Sequence, residues 1–187
     1  MQKSALVPGG LGTDAGPMIA PDTKDWTWVL ERPCPECGLD TASFDREDVG
    51  RLLRENAAEW QRVLAREDVR ERPAADVWSP LEYACHVRDA CRIFLGRLES
   101  MLSTTDPEFP NWDQDRTAVE ADYASQDPAR VAAELTEAAA RLATAFDSVS
   151  GSAWQRTGRR SDGARFTVET FARYFLHDPV HHLHDVS

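Results

Sequence analysis

The histidines are the residues of this sequence with the clearest chemistry. Four of the five lie between His177 and His184, and the fifth is His86. On an α-helix, residues four apart lie about 40° apart around the axis, so His177 and His181 can point at one atom. This spacing places two imidazoles on one metal ion, which needs a third ligand from elsewhere. His86 is the only histidine outside this segment, and it completes a predicted three-histidine metal site.

A simpler interpretation of the C-terminal histidines is a solvated helix end. Cationic side chains are favoured near the negative end of the helix dipole, and His182 and His184 fit that role. A purification-tag remnant is disfavoured, because Val180 and Leu183 interrupt the histidines at helical spacing.

Two cysteines offer a second candidate site. Cys34-Pro-Glu-Cys37-Gly resembles a zinc knuckle, but a standard zinc ribbon needs a second pair with similar spacing. Cys85 and Cys91 lie about 240° apart on a predicted helix, so they cannot supply that pair together. Three interpretations of Cys34 and Cys37 follow. They bind a second metal together with a distant ligand, they form a redox pair, or they only shape a tight turn.

Amphipathic helices must position these residues. Hydrophobic residues at helical spacing predict four of them, over about 45–66, 79–102, 128–148 and 167–185, with no convincing strand. The second has the clearest start, because Ser79, Pro80 and Glu82 form a capping box with proline at the first helical position.

The long connection 103–127 sets the predicted topology. It can return the chain along the bundle, which makes the third helix parallel to the second and the fourth antiparallel to it. In that arrangement His86 lies about 9 Å from the start of its helix, at the level of His177 and His181. We therefore predict an all-α fold, a four-helix bundle with a long crossover between helices 2 and 3. An irregular N-terminal lead-in precedes it.

Length and charge limit the classes of function. The 187 residues predict one domain, divided into a flexible arm (1–24), a Trp/Cys-containing lead-in (25–44) and the bundle (45–187). A net charge of −11 disfavours a nucleic-acid surface. The sequence contains no apolar stretch of membrane-spanning length and no signal-peptide pattern, so we expect a cytoplasmic protein with reduced cysteines.

The order and spacing of these motifs resemble the DinB/YfiT-like superfamily. Trp78-Ser-Pro-Leu-Glu82 leads into a helix with His86, and His177-x-x-x-His181 follows some 90 residues later. The resemblance implies a four-helix bundle with this crossover. It also implies a divalent metal, commonly zinc or nickel, held by His86, His177 and His181. Similar proteins include thiol S-transferases that use bacillithiol or mycothiol and the mycothiol-dependent maleylpyruvate isomerase.

Two features modify this picture of the site. Pro179 falls between the helix-4 ligands, so His182 or His184 is an alternative ligand. Asp178 is expected to face solvent. The residues predicted to surround the metal, each with an ordinary structural role as the alternative, are Asp89, Trp60, Asn56 and Tyr123.

Three functions follow as hypotheses. The first is a metal-dependent enzyme that transfers a low-molecular-weight thiol of the mycothiol type to a small electrophile, or isomerises its adduct. The second is a metal-dependent hydrolase that uses activated water. The third is a non-catalytic metal- or ligand-binding bundle. A homodimer is also expected, since a dimer interface would cover tryptophans such as Trp26 and Trp112 that would otherwise be exposed.

Overall fold

The computed structural model describes Ile19 and residues 25–187. Within these residues, α-helices span Val49–Leu64 (α1), Pro80–Ser103 (α2), Gln114–Glu120 (α3), Pro128–Asp147 (α4) and Val168–Asp185 (α5). Short strands span Glu108–Phe109 (β1), Thr157–Arg160 (β2) and Arg165–Thr167 (β3). The predicted arm 1–24 lies outside the described residues, apart from Ile19. None of the helices in the described part has the length and apolarity needed to cross a membrane.

The four long helices form the predicted bundle. α4 packs against α1 and α2, and α5 packs against the same two helices. Arg88 of α2 pairs with Glu134 of α4 at 3.0 Å near the start of both helices, so these two run parallel. Arg54 near the start of α1 pairs with Asp147 at the end of α4 at 2.7 Å, so these two run antiparallel. The predicted fold class and its crossover are confirmed.

The expectation that the chain contains no strand is wrong. β2 pairs in parallel with β1 and antiparallel with β3, which gives a three-stranded sheet. β1 follows the end of α2, and β3 leads directly into α5, so the sheet joins the end of α2 to the start of α5. The strands are only two, four and three residues long. Such short strands carry too little hydrophobic alternation to be recognised in sequence.

The start of α2 has the predicted capping box. The Ser79 hydroxyl accepts the backbone N–H of Glu82 at 3.3 Å, and the Glu82 carboxylate accepts the backbone N–H of Ser79 at 2.8 Å. Arg72 pairs with the same carboxylate. This fixed first turn places His86 on the next turn, where it is 1% exposed.

The lead-in, residues 25–44, lies against α5. It begins with a short 3₁₀-helix, Trp26–Leu30, and the Thr41 hydroxyl donates to the carbonyl of Val29 at 2.6 Å. Arg173 of α5 donates to the carbonyl of Phe44 at 2.9 Å. The lead-in is thereby held on the helix that carries four of the histidines.

Candidate metal centre

α5 presents its candidate metal ligands on two adjacent faces. His177 and His181 lie on one stripe, and Asp178 and His182 lie on the next, about 100° around the axis. The first stripe meets the lead-in, where His181 contacts Cys34. The second stripe meets α2, where Asp178 contacts His86.

Two buried side chains of α1 hold α5 at this level. Asn56 Nδ2 donates to the carbonyl of Pro179 at 3.0 Å, and Trp60 Nε1 donates to Asn56 Oδ1 at 3.1 Å. Pro179 lies inside α5 without ending it, since the helix continues to Asp185. Asn56, predicted to surround the metal, instead bonds to the backbone of α5, and Trp60, also predicted to surround it, bonds to Asn56.

His86, Asp178 and His182 form the first cluster. One possible ligand atom from each residue lies within 4.8 Å of the other two. Asp178 Oδ1 is 3.3 Å from His86 Nε2 and 3.5 Å from His182 Nε2. The side chains of Asp178 and His182 are 31% and 19% exposed, so solvent can reach a cluster whose third member, His86, is fully buried. Two imidazoles and a carboxylate thus converge on one place.

Two atoms of this cluster are buried without a partner. His86 Nδ1 and Asp178 Oδ2 make no hydrogen bond to any part of the chain that the structure describes. Buried polar atoms are nearly always paired in proteins, so Asp178 Oδ2 indicates a place suited to a further group beside the carboxylate, while His86 Nδ1 lies on the side of its ring away from the contact of Nε2 with Asp178.

The charges of the first cluster favour a cation. Burial would raise the pKa of Asp178, but the imidazoles of His86 and His182 outweigh burial and hold that pKa well below its usual range. Burial would lower the pKa of His182, but the carboxylates of Asp178 and Asp185 outweigh it and raise that pKa to about 9. His182 is therefore protonated at neutral pH, and a metal ion bound at its Nε2 would have to displace that proton; the carboxylates that raise this pKa would also attract the ion.

The surroundings fix both imidazoles. Asp185 Oδ2 lies 2.9 Å from His182 Nδ1, which leaves Nε2 of that ring directed at Asp178. A carboxylate on the second nitrogen of a ligand histidine sets its tautomer and orientation. The Trp112 ring stacks on His86 with centroids 5.3 Å apart and planes 9° apart, and Trp78 contacts the same imidazole at 5.4 Å.

A cavity of about 480 Å³ is lined by all three residues of the first cluster and also by His177 and His181. Trp26 and Trp112 contribute aromatic walls. Arg97, Arg160 and Tyr174 line another part of the same cavity, and Arg160 donates to the Tyr174 hydroxyl at 2.9 Å. The cavity therefore combines a candidate metal site with two guanidinium groups, and its lining also includes the carboxylates of Glu36, Asp76, Asp115 and Asp185.

Cys34, Cys37, His177 and His181 form the second cluster, again with one possible ligand atom each within 4.8 Å. Cys34 Sγ lies 3.6 Å from His181 Nδ1. Burial, reinforced by His181, lowers the pKa of His177 to about 4, and burial also lowers the pKa of His181. His177 is therefore neutral at neutral pH, in the form that binds metals.

The predicted three-histidine set is thus divided between the two clusters. His177 and His181 lie with the cysteines, whereas His86 lies with Asp178 and His182. His177 and His181 have the same four-residue spacing as Asp178 and His182, and α2 faces the stripe of Asp178 and His182. His182 was an alternative ligand in the sequence prediction. Asp178 was expected to face solvent, whereas its carboxylate contacts His86 and His182; its spacing from His182 was an available signal. The other alternative, His184, is exposed.

Asp89 and Tyr123 belong to the packing between α2 and the start of α4. The Tyr123 hydroxyl donates to Asp89 Oδ2 at 2.7 Å, and Arg88 Nε donates to Asp89 Oδ1 at 2.9 Å. Arg88 also pairs with Glu134. Asp89 and Tyr123, predicted to surround the metal, instead take part in a buried network of ionic and hydrogen bonds.

The donor atoms of both clusters fit a divalent metal. Tetrahedral zinc with nitrogen and oxygen ligands places neighbouring donors about 3.3–3.5 Å apart, and a sulfur–nitrogen pair about 3.6 Å apart. Asp178 lies 3.3 Å from His86 and 3.5 Å from His182, and Cys34 lies 3.6 Å from His181; the remaining donor pairs of each cluster lie within 4.8 Å of each other. Three protein ligands are typical of catalytic zinc sites, and four are typical of structural ones.

Comparisons with known proteins agree with this architecture. The chain is similar to the solved structure of YfiT from Bacillus subtilis, described as a probable metal-dependent hydrolase with an unusual four-helix bundle topology. The TM-score is 0.67 at 17% identity, over 76% of this chain and 85% of that one, which shows a shared fold. No curated protein sequence matches the chain. The model of the DinB superfamily matches residues 53–186, and the chain belongs to that superfamily.

Proposed function

We propose that this protein is a divalent-metal-dependent enzyme that acts on a small anionic molecule. His86, Asp178 and His182 are the proposed ligands. The observation that carries the proposal is the convergence of these three donors on the wall of a cavity of about 480 Å³. Zinc or nickel is the proposed ion, because imidazole nitrogens suit both metals.

The chain's own residues would keep the ligands in place. A divalent ion held there would supply Lewis-acid chemistry, lowering the pKa of a coordinated water or thiol. Asp185 would keep the His182 ring in one tautomer, and Trp112 and Trp78 would keep the His86 ring from turning and shield it from water.

Arg97 supports an anionic substrate, whereas Arg160 is already paired with Asp162 at 2.7 Å. Arg97 is half-buried, donates to the carbonyl of Pro110 at 3.1 Å and forms no ion pair within the described residues. Burial, reinforced by Arg160, lowers the pKa of Arg97. An anionic group in the cavity would offset both effects, and guanidinium groups bind carboxylates and phosphates well. The proposed substrate therefore carries a carboxylate or phosphate.

Hydrolysis of an ester or amide is the reaction we propose first. Two histidines and one carboxylate are the protein ligands of several zinc hydrolases. The description of YfiT as a probable metal-dependent hydrolase also supports hydrolysis as the proposed reaction.

Thiol transfer is the second candidate, and the positions of the cysteines would require its thiol to come from a cosubstrate. None of the four lines the cavity. Cys34 and Cys37 lie in the second cluster, and Cys85 and Cys91 are fully buried. Burial raises the pKa of Cys85 to about 12, so this thiol is no nucleophile at neutral pH. An attacking thiol would have to come from a cosubstrate, such as a low-molecular-weight thiol of the mycothiol type.

The test is an activity screen of metal-free and metal-reloaded protein. Carboxylate-bearing and neutral esters and amides are assayed without thiol, and small electrophiles are assayed with low-molecular-weight thiols. We expect metal-dependent turnover that is lost in His182→Ala and kept in His184→Ala, whose side chain is exposed on the same helix. Thiol-independent turnover supports hydrolysis, and strictly thiol-dependent turnover supports transfer. Metal binding without turnover in either screen would contradict an enzyme and favour a non-catalytic metal-binding bundle.

A further inference from the structure

We propose that Cys34, Cys37, His177 and His181 form a structural zinc site, separate from the proposed catalytic centre, that fastens the lead-in to α5. Two soft sulfur donors and two imidazoles are a common zinc ligand set, and four protein ligands leave no position for a substrate. The site would join residues that are more than 130 positions apart in the chain.

The Cys34–Cys37 segment is already folded as a closed turn. The backbone N–H of Gly38 donates to the carbonyl of Cys34, and the N–H of Cys34 donates to the carbonyl of Leu39, both at 2.9 Å. Gly38 has φ +76°, which glycine adopts without a steric penalty. This turn places both thiols beside the histidine stripe of α5.

The histidines supply a second, independent observation. His177 is 4% exposed, and its Nε2 is buried with no hydrogen-bond partner among the described residues. His181 directs Nδ1 at Cys34, while its Nε2 lies 3.4 Å from Glu36 and 3.7 Å from Asp185. A metal ligand on one nitrogen and a carboxylate near the other is the usual environment of a zinc-bound histidine.

The two imidazoles favour a zinc site over the redox alternative. Cys34 is 1% exposed, Cys37 is partly exposed, and both are free thiols. That pattern of exposure suits either role, but only a Cys₂His₂ zinc site needs two histidines, and His177 and His181 each offer a nitrogen within 4.8 Å of both thiols.

The site would also shape the substrate cavity. The Trp26 ring lies 5.3 Å from the ring of His177 and 4.9 Å from that of His181, and it lines the cavity beside the first cluster. Zinc at the second cluster would therefore hold one wall of the cavity in place without taking part in the reaction.

The first test combines cobalt substitution with elemental analysis. We expect two zinc ions per chain in the wild type, and a thiolate-to-cobalt charge-transfer band in the cobalt-loaded protein. Cys34→Ser and Cys37→Ser should each lose the band and one zinc, whereas Cys85→Ser should keep both. His182→Ala should lose one metal but keep the band, which separates this proposal from the proposed function. A cobalt protein without the band, or full zinc content in Cys34→Ser, would overturn the proposal.

The second test needs no variant, so it holds even if the cysteine variants fail to fold. Native wild-type protein is treated with an alkylating reagent, with and without a strong chelator, and each cysteine is followed by mass spectrometry. Cys37, which is partly exposed, should be protected until the chelator is added. Equal alkylation of Cys37 under both conditions would also overturn the proposal.

Discussion

Replacing Asn56 with leucine should destabilise the fold through two hydrogen bonds. The substitution removes the amide that donates to Pro179 and accepts from Trp60, at a position that is 7% exposed. The lost bond to the carbonyl contributes about 0.5–1.5 kcal/mol, and the buried Trp60 N–H left unpaired costs about 1–3 kcal/mol. The free energy of unfolding should therefore fall by about 2–4 kcal/mol, which lowers Tm by roughly 2–4 °C per kcal/mol in a chain of this size.

Urea denaturation of four proteins tests this reasoning: the wild type, Asn56→Leu, Trp60→Phe and the double variant. In the double variant no indole N–H is left unpaired, so the two losses should not add, and the coupling should exceed about 0.5 kcal/mol. Glu59→Gln, an exposed change on the same helix, should stay within about 0.5 kcal/mol of the wild type. Additive losses, or a loss below about 1 kcal/mol in Asn56→Leu, would refute the proposed role of this pair.

Three further predictions concern the cavity, the first cluster and the α2–α4 packing. Arg97→Gln should lower kcat/KM for carboxylate-bearing substrates about tenfold or more, because a charged hydrogen bond contributes about 1.5–3 kcal/mol. A neutral analogue should be unaffected, and an equal loss for both would contradict an anion-binding role. Asp185→Asn should weaken metal binding by the first cluster about 10–100-fold in a chelator competition, and unchanged affinity would contradict its orienting role. Asp89→Asn should lower the free energy of unfolding at neutral pH by about 1–3 kcal/mol in urea denaturation. Burial would raise the pKa of Asp89, but Arg88 and Tyr123 outweigh burial and hold that pKa below its usual value. The stability lost in Asp89→Asn should therefore be regained relative to the wild type only as the pH falls through this lowered pKa, where the wild-type carboxylate becomes protonated. A deficit that persists unchanged far below pH 4 would contradict the network.

The bundle could be predicted because its signals are local. The capping box at Ser79 and the hydrophobic stripes place the long helices to within a few residues. The length of the 103–127 connection predicts the crossover from chain dimensions alone. The small sheet could not be predicted in the same way, because its pairing joins β1 to β2 about 50 residues later.

The ligand sets depend on a rotation that the sequence does not specify. Spacing shows that residues 177 and 181, or 178 and 182, share a face of α5, but it does not show which face meets α2. That rotation is set by contacts such as the one between Asn56 and Pro179, which are 123 residues apart. A search for histidines alone missed Asp178. In the sequence, a second pair of cysteines was sought beside Cys34 and Cys37, whereas His177 and His181 are the candidate ligands that lie next to them.

The central claim is that a metal ion is held by His86, Asp178 and His182. The most direct measurement is a crystal structure of metal-loaded protein with anomalous diffraction data collected on both sides of the metal's absorption edge. An anomalous peak within bonding distance of His86, Asp178 and His182 is the predicted result. A peak shared by His86, His177 and His181, or no peak next to His86, would contradict the claim.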